Sequence, residues 1–277
     1  MNRRLFLFAG YDSAGQAGTS LLWYIKALSE NGDVVFVADS DFDKDQLSLI
    51  DPCVLHAEAS RHGEYDFGSY KRAFKWAQDN TQIDRYDFIY MVNDSVYGPL
   101  YDIRPSLEQM EDLGTDAFGL VLNPHRKHPH LQSWFIGMRQ TVFCSQWFSD
   151  FICSVTAEDS KEDICVKYET GFTELLEKHS ITTAALFQVG GKGVYNSVYK
   201  LYREGLPFVK KAAFVRHNGC LGGKVSHIMR RLDEYCRDAI MTDAVRVYGA
   251  TYMSRFLTAN PFVIAARYIS YLWSKIF

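Results

Sequence analysis

Phe88-Ile89-Tyr90-Met91-Val92-Asn93-Asp94-Ser95 places five apolar residues in a row and then breaks into an amide, a carboxylate and a hydroxyl. An unbroken apolar run of this length, closed by turn-forming residues, predicts a strand covered on both faces, the kind found in parallel sheets. Upstream, Leu5–Ala9 is a second such run, closed by Gly10-Tyr11-Asp12-Ser13, and Val34–Val37 is a third, delivering Asp39 and Ser40 at its end. Between them Leu21, Leu22, Ile25 and Leu28 recur at helical spacing before Asn31-Gly32, and Phe67, Tyr70, Phe74 and Ala77 share one face of another helix. Downstream, a short helix opening at Pro105 and closing at Gly114 leads into a strand over Ala117–Leu122. Strands alternating with helices define an α/β protein with a mainly parallel sheet flanked by helices.

In open sheets of this class ligands bind beyond the carboxyl ends of the strands. Tyr11, Asp12, Asp39, Asn93 and Asp94 are therefore expected to line one crevice. The second half is less regular: a strand over Gln132–Met138 and helices over Thr141–Cys153, Thr170–Lys178, Val225–Arg237 and Thr242–Arg255 are expected. No repeat or linker divides the chain. The expected organisation is a catalytic domain over 1–220 and a helical C-terminal part over 221–277 packed on it.

Composition narrows the function. The 277 residues are 47% apolar and 23% charged, with formal net charge −3, which excludes intrinsic disorder and leaves no general basic field for nucleic acid. Six cysteines lie scattered without a CxxC pair, so neither a zinc site nor a disulfide framework is signalled. No apolar run approaches the roughly 18–20 residues of a membrane span, and the N-terminal run is too short for a secretory leader; a cytoplasmic protein is expected. Gly10, Gly15 and Gly18 have the wrong spacing for a dinucleotide fingerprint, and Gly190-Gly191-Lys192-Gly193 lacks the Ser or Thr of a P-loop. GxSxG and HExxH are absent.

Four strings remain: His62-Gly63-Glu64-Tyr65-Asp66-Phe67-Gly68-Ser69-Tyr70-Lys71-Arg72, Asn93-Asp94-Ser95-Val96-Tyr97-Gly98-Pro99-Leu100, His130-Leu131-Gln132-Ser133-Trp134-Phe135 and Tyr168-Glu169-Thr170-Gly171-Phe172-Thr173. In order and spacing they resemble the rhamnan synthesis F family of bacterial cell-surface polysaccharide assembly. That resemblance implies a GT-A-like nucleotide-sugar-binding fold and a transferase moving a sugar, L-rhamnose from dTDP-L-rhamnose, onto a growing polysaccharide or O-antigen. It implies inversion, with Glu169 as base and Asp94 at the diphosphate or at Mg²⁺ or Mn²⁺. Asn93-Asp94-Ser95 carries one carboxylate where the common DxD motif has two, so metal dependence stays open.

The residue chemistry is consistent with that assignment. Glycosyl transfer needs a base in hydrogen-bond reach of the acceptor hydroxyl, and positive charge or N–H groups at the leaving diphosphate. Asp66, Lys210 and Lys211 are candidates for the nucleotide, His130, Gln132, Ser133 and Tyr168 for the sugar, and His217 is a second metal candidate. Each has a plainer alternative: Glu169 as a first-turn carboxylate on the helix dipole, Asp94 as a cap, Asp66 as a turn residue, and the Lys210–Lys211 pair as solvated charge. A non-catalytic sugar-binding subunit of an assembly complex is the competing function, and a different nucleotide-dependent enzyme a third. Finally, Phe262, Ala265, Ile269, Leu272, Trp273 and Ile276 share one face of a C-terminal helix. Such a helix can lie on a bilayer, where a lipid-linked acceptor would be, or dock on the protein's own core.

Overall fold

The expected buried runs do form the strands of one sheet. A computed structural model of the chain describes residues 2–125, 128–215, 222–258 and 260–276. In chain order its strands are β1 (Arg4–Gly10), β2 (Asp33–Ala38), β3 (His56–Ala59), β4 (Phe88–Asn93), β5 (Val96–Tyr97), β6 (Ala117–Asn123), β7 (His130–Leu131), β8 (Phe135–Arg139), β9 (Thr183–Gln188) and β10 (Val209–Lys210). Eight of them make a sheet ordered β3-β2-β1-β4-β8-β6, with β7 and β9 both pairing β6. β1 through β4 are mutually parallel, β9 is parallel to β6, and β8 runs antiparallel between β4 and β6. The expected α/β, mainly parallel arrangement is thus observed, with an antiparallel strand inside it.

The chain divides into two units. The first comprises Met1–Ala17, Ile25–Asp94 and Ile103–Gly190; the second comprises Gly18–Tyr24, Ser95–Asp102 and Gly191–Phe277. The first unit holds the eight-stranded sheet. Every residue of β1 and β4 is buried, as continuous apolar runs covered on both faces require. Helix Tyr65–Asn80 lays Phe67, Tyr70, Phe74 and Ala77 into this core, where Phe74 meets Phe148 edge-on at 5.3 Å. Under the sheet edge where β1 begins, Arg4 and Glu111 are both buried and paired at 2.5 Å, with the Tyr90 hydroxyl donating to Glu111 at 2.7 Å. The second unit is helical apart from the antiparallel pair β5–β10, and packs Tyr97, Phe214, Ile240, Met253 and Phe256 together.

Several helix limits differ from expectation, each for a local reason. The stretch expected as one helix from Thr141 to Cys153 is interrupted because Ser145 caps a fresh helix, Gln146–Cys153, by accepting the Phe148 N–H. Asp233 does the same for Glu234–Tyr248, ending the element expected over Val225–Arg237 at Met229. Gly249, at φ 87°, then separates Glu234–Tyr248 from Ala250–Phe256 within the span expected as Thr242–Arg255. β8 begins at Phe135 rather than Gln132, because Gln132–Trp134 forms a turn in which the Trp134 indole donates to the Gln132 side chain at 2.8 Å.

Candidate functional site

Register fixes which strand ends meet. Gly10 pairs with Ala38, Ala9 with Asn93, and Ala38 with Ala59, so the residues that follow β1, β2, β3 and β4 leave the sheet at one edge. Because β8 is antiparallel to β4, with Val92 opposite Phe135, the turn Gln132–Trp134 enters at that same edge. The C-terminal end of β6 and the start of β7 join it through Asn123 opposite His130. The expected crevice residues of the first unit are therefore brought together along the sheet edge.

Their side chains do different work there. Asp39 accepts from the backbone N–H groups of His62 at 2.9 Å, Gly63 at 3.0 Å and Tyr65 at 3.2 Å, clamping the loop that opens helix Tyr65–Asn80. Asp12 closes a turn by accepting from Ala14 and Gln16, while its own N–H donates to Ser40. Tyr11, next to it, is exposed. His62, which sequence reasoning quoted but assigned no role, accepts the Glu64 N–H on Nδ1 and contacts the Ser69 hydroxyl at 3.0 Å through Nε2. Burial, with the nearby Arg72 charge, lowers its pKa.

Separate hydrogen bonds hold the remaining polar residues. Asn93 is buried; its side-chain N–H donates to Asp66 at 2.8 Å, and its backbone N–H donates to the Trp134 carbonyl. One residue earlier, Ser133 gives both its backbone N–H, at 2.8 Å, and its hydroxyl, at 2.9 Å, to Oε1 of Glu169. The Tyr70 hydroxyl donates to the Ser133 carbonyl and holds that turn from beneath. Asp94, nearly buried, continues the edge, its N–H donating to the Ala9 carbonyl.

Glu169 does not stand in the first turn of the helix that follows. It lies in a π-helical turn, Cys165–Thr170, leading into Gly171–Lys178. A wider turn of this kind re-aims side chains and recurs at functional positions. Among the described residues, Oε1 of Glu169 is held by Ser133 and Oε2 receives no hydrogen bond.

The other candidates make different contacts. Tyr168 is buried in the core, its hydroxyl donating to Glu158 at 3.0 Å. His130 contacts the His128 carbonyl through Nδ1 and lies 3.5 Å from the Asn123 amide through Nε2. Lys210 and Lys211 belong to the second unit, where Lys210 donates to the Ser95 hydroxyl and Lys211 sits over the Tyr97 ring. His217 lies outside the described residues.

The sheet order and the polar residues at its strand ends make this an α/β protein of mainly parallel sheet. The chain belongs to the rhamnan synthesis protein F family: the family's model matches residues 34–275. No curated protein matches it. Among solved structures, a protein described as a nucleotide-diphospho-sugar transferase from Desulfovibrio desulfuricans G20 is 16% identical, with TM-score 0.43, over 86% of this chain and 99% of its own. Core-mannan synthase A from Aspergillus fumigatus, in its Mn/GDP form, is 11% identical, with TM-score 0.36, over 64% of this chain and 69% of its own. The mannosyltransferase Ktr4p from S. cerevisiae is 8% identical, with TM-score 0.34, over 54% and 59%.

Proposed function

We propose that the chain transfers a sugar from a nucleoside-diphosphate donor, dTDP-L-rhamnose, to a hydroxyl of a growing bacterial surface polysaccharide, with inversion at the anomeric carbon. The acceptor oxygen attacks that carbon, the bond to the diphosphate breaks with its electron pair, and Glu169 takes the acceptor proton on Oε2. The observation that carries this reading is the Ser133–Glu169 pair. Two donors on Oε1 fix the carboxylate's direction while leaving its other oxygen able to accept a proton. Family membership supports the substrate class.

The Asn93–Asp66 bond orders the end of β4, the edge where the nucleotide would bind, and Asp39 holds the adjoining loop rigid. Among the described residues no group of three or more His, Cys, Asp or Glu side chains could hold a metal ion. Mg²⁺ and Mn²⁺ often use one or two carboxylates and complete their shell with phosphate oxygens and water. Asp94 fits that single-carboxylate role, and an ion held there would neutralise charge developing on the leaving diphosphate.

A thermal-shift panel with dTDP, UDP, GDP, CMP and S-adenosylmethionine, each with Mn²⁺ and with EDTA, tests the reading. A ligand at about 100 times its Kd stabilises by about 2.7 kcal/mol. At roughly 2–4 °C per kcal/mol that is a rise in Tm of about 5–11 °C. A shift with dTDP is expected, and its loss in EDTA and in Asp94→Asn would assign the ion to Asp94. No shift with any nucleoside diphosphate would overturn the transferase reading in favour of a sugar-binding subunit.

A further inference from the structure

Helix Pro261–Ile276 is amphipathic, and its orientation is inverted relative to ordinary core docking. Phe262 is 83% exposed, Ile269 56%, and Trp273 61%, all on the apolar face together with Leu272. The half-buried side carries Val263, Ile264 and Arg267, whose guanidinium donates to the Phe256 carbonyl at 3.2 Å. A helix docked on its own protein buries its apolar stripe and turns its charges outward. Here the aromatic stripe is presented to solvent while an arginine faces the protein.

Charge identifies what would cover it. From Ala244 to Phe277 the chain contains no Asp or Glu and carries Arg246, which pairs with Asp243, Arg267, which bonds the Phe256 carbonyl, and in addition Arg255 and Lys275, in a protein whose net charge is −3. Aromatic and aliphatic residues on one face, in a stretch of sequence that is basic and without acids, match a helix lying in the headgroup region of an anionic bilayer. Among the described residues no helix is long and apolar enough to cross a membrane. We infer that Pro261–Ile276 attaches the protein to the surface of an anionic lipid bilayer, with Phe262, Ile269 and Trp273 entering the acyl boundary. This rests on the C-terminal helix alone and is independent of the sugar-transfer reading.

Co-sedimentation of the full chain with vesicles of phosphatidylglycerol in phosphatidylcholine, against phosphatidylcholine alone, tests it. The wild type should pellet with the anionic vesicles, less so as salt rises, and Phe262→Ser/Trp273→Ser should lower partitioning by about tenfold or more. Trp273→Phe should bind nearly as well as wild type, which separates lost insertion from lost folding. Wild type remaining in the supernatant with both vesicles, or equal pelleting of the doubly substituted chain, would overturn the inference. So would a dimer in light scattering that becomes monomeric in the double variant without any vesicle binding, since the face would then belong to a second copy.

Discussion

Replacing Glu169 by Gln is the most incisive perturbation of the candidate site. The amide oxygen can keep both bonds that Ser133 makes, at 2.8 and 2.9 Å, so the side chain holds its position and loses only its ability to take a proton. A positioned general base contributes about 10²–10⁴-fold, so transfer should fall by that factor. Ser133→Ala provides the matched control, because it removes the hydroxyl bond and retains the backbone one. A hydrogen bond to a charged group is worth about 1.5–3 kcal/mol, and with one of two donors left the loss should sit near the lower end, about tenfold. In the double variant Ser133→Ala should cost little further, since its effect acts through the same carboxylate. The assay is release of nucleoside diphosphate coupled to transfer onto an oligosaccharide acceptor, with the dTDP thermal shift as a check that donor binding survives. Glu169→Gln retaining more than about half of wild-type transfer would refute the assignment, as would fully additive losses in the double variant.

Two stability predictions follow from the first unit. Glu111→Gln leaves the buried Arg4 guanidinium without its counter-charge. Breaking such a pair costs about 3–5 kcal/mol, so thermal melts should show Tm lower by about 6–20 °C. Glu64 is held below 4.5: burial alone would raise it, but the hydrogen-bonded Arg72 and Lys71 charges outweigh that. A carboxylate with a depressed folded-state pKa adds stability that is complete above its unfolded value and is lost as pH falls through the folded one. Glu64→Gln should therefore melt lower at neutral pH and show a shallower decline of Tm below about pH 4.5; an unchanged acid slope would remove Glu64 from the account.

The local pattern of residues was enough to place β1, β2 and β4, because a strand covered on both faces must be apolar at every position, and to place acidic residues just beyond their ends. It was also enough to find the amphipathic face of the C-terminal helix. It was silent on β3, whose His56-Ala57-Glu58-Ala59 is half-buried at the sheet margin and shows no apolar run, and it ran helices through Ser145, Asp233 and Gly249, where caps and a positive φ end them. The tertiary structure alone decided which polar groups act together. Ser133 and Glu169 are 36 residues apart, and nothing in either neighbourhood encodes the bond between them. It arises because β8 runs antiparallel to β4 and a π-helical turn aims Glu169 at the turn before β8. In the same way Asp39 and Asp66 are spent on His62, Gly63, Tyr65 and Asn93, and the apolar face of Pro261–Ile276 points outward. Periodicity reports how deeply an element is buried on each face; partners distant in the chain, and the direction a face is turned, are set only when strand register and packing bring the elements together.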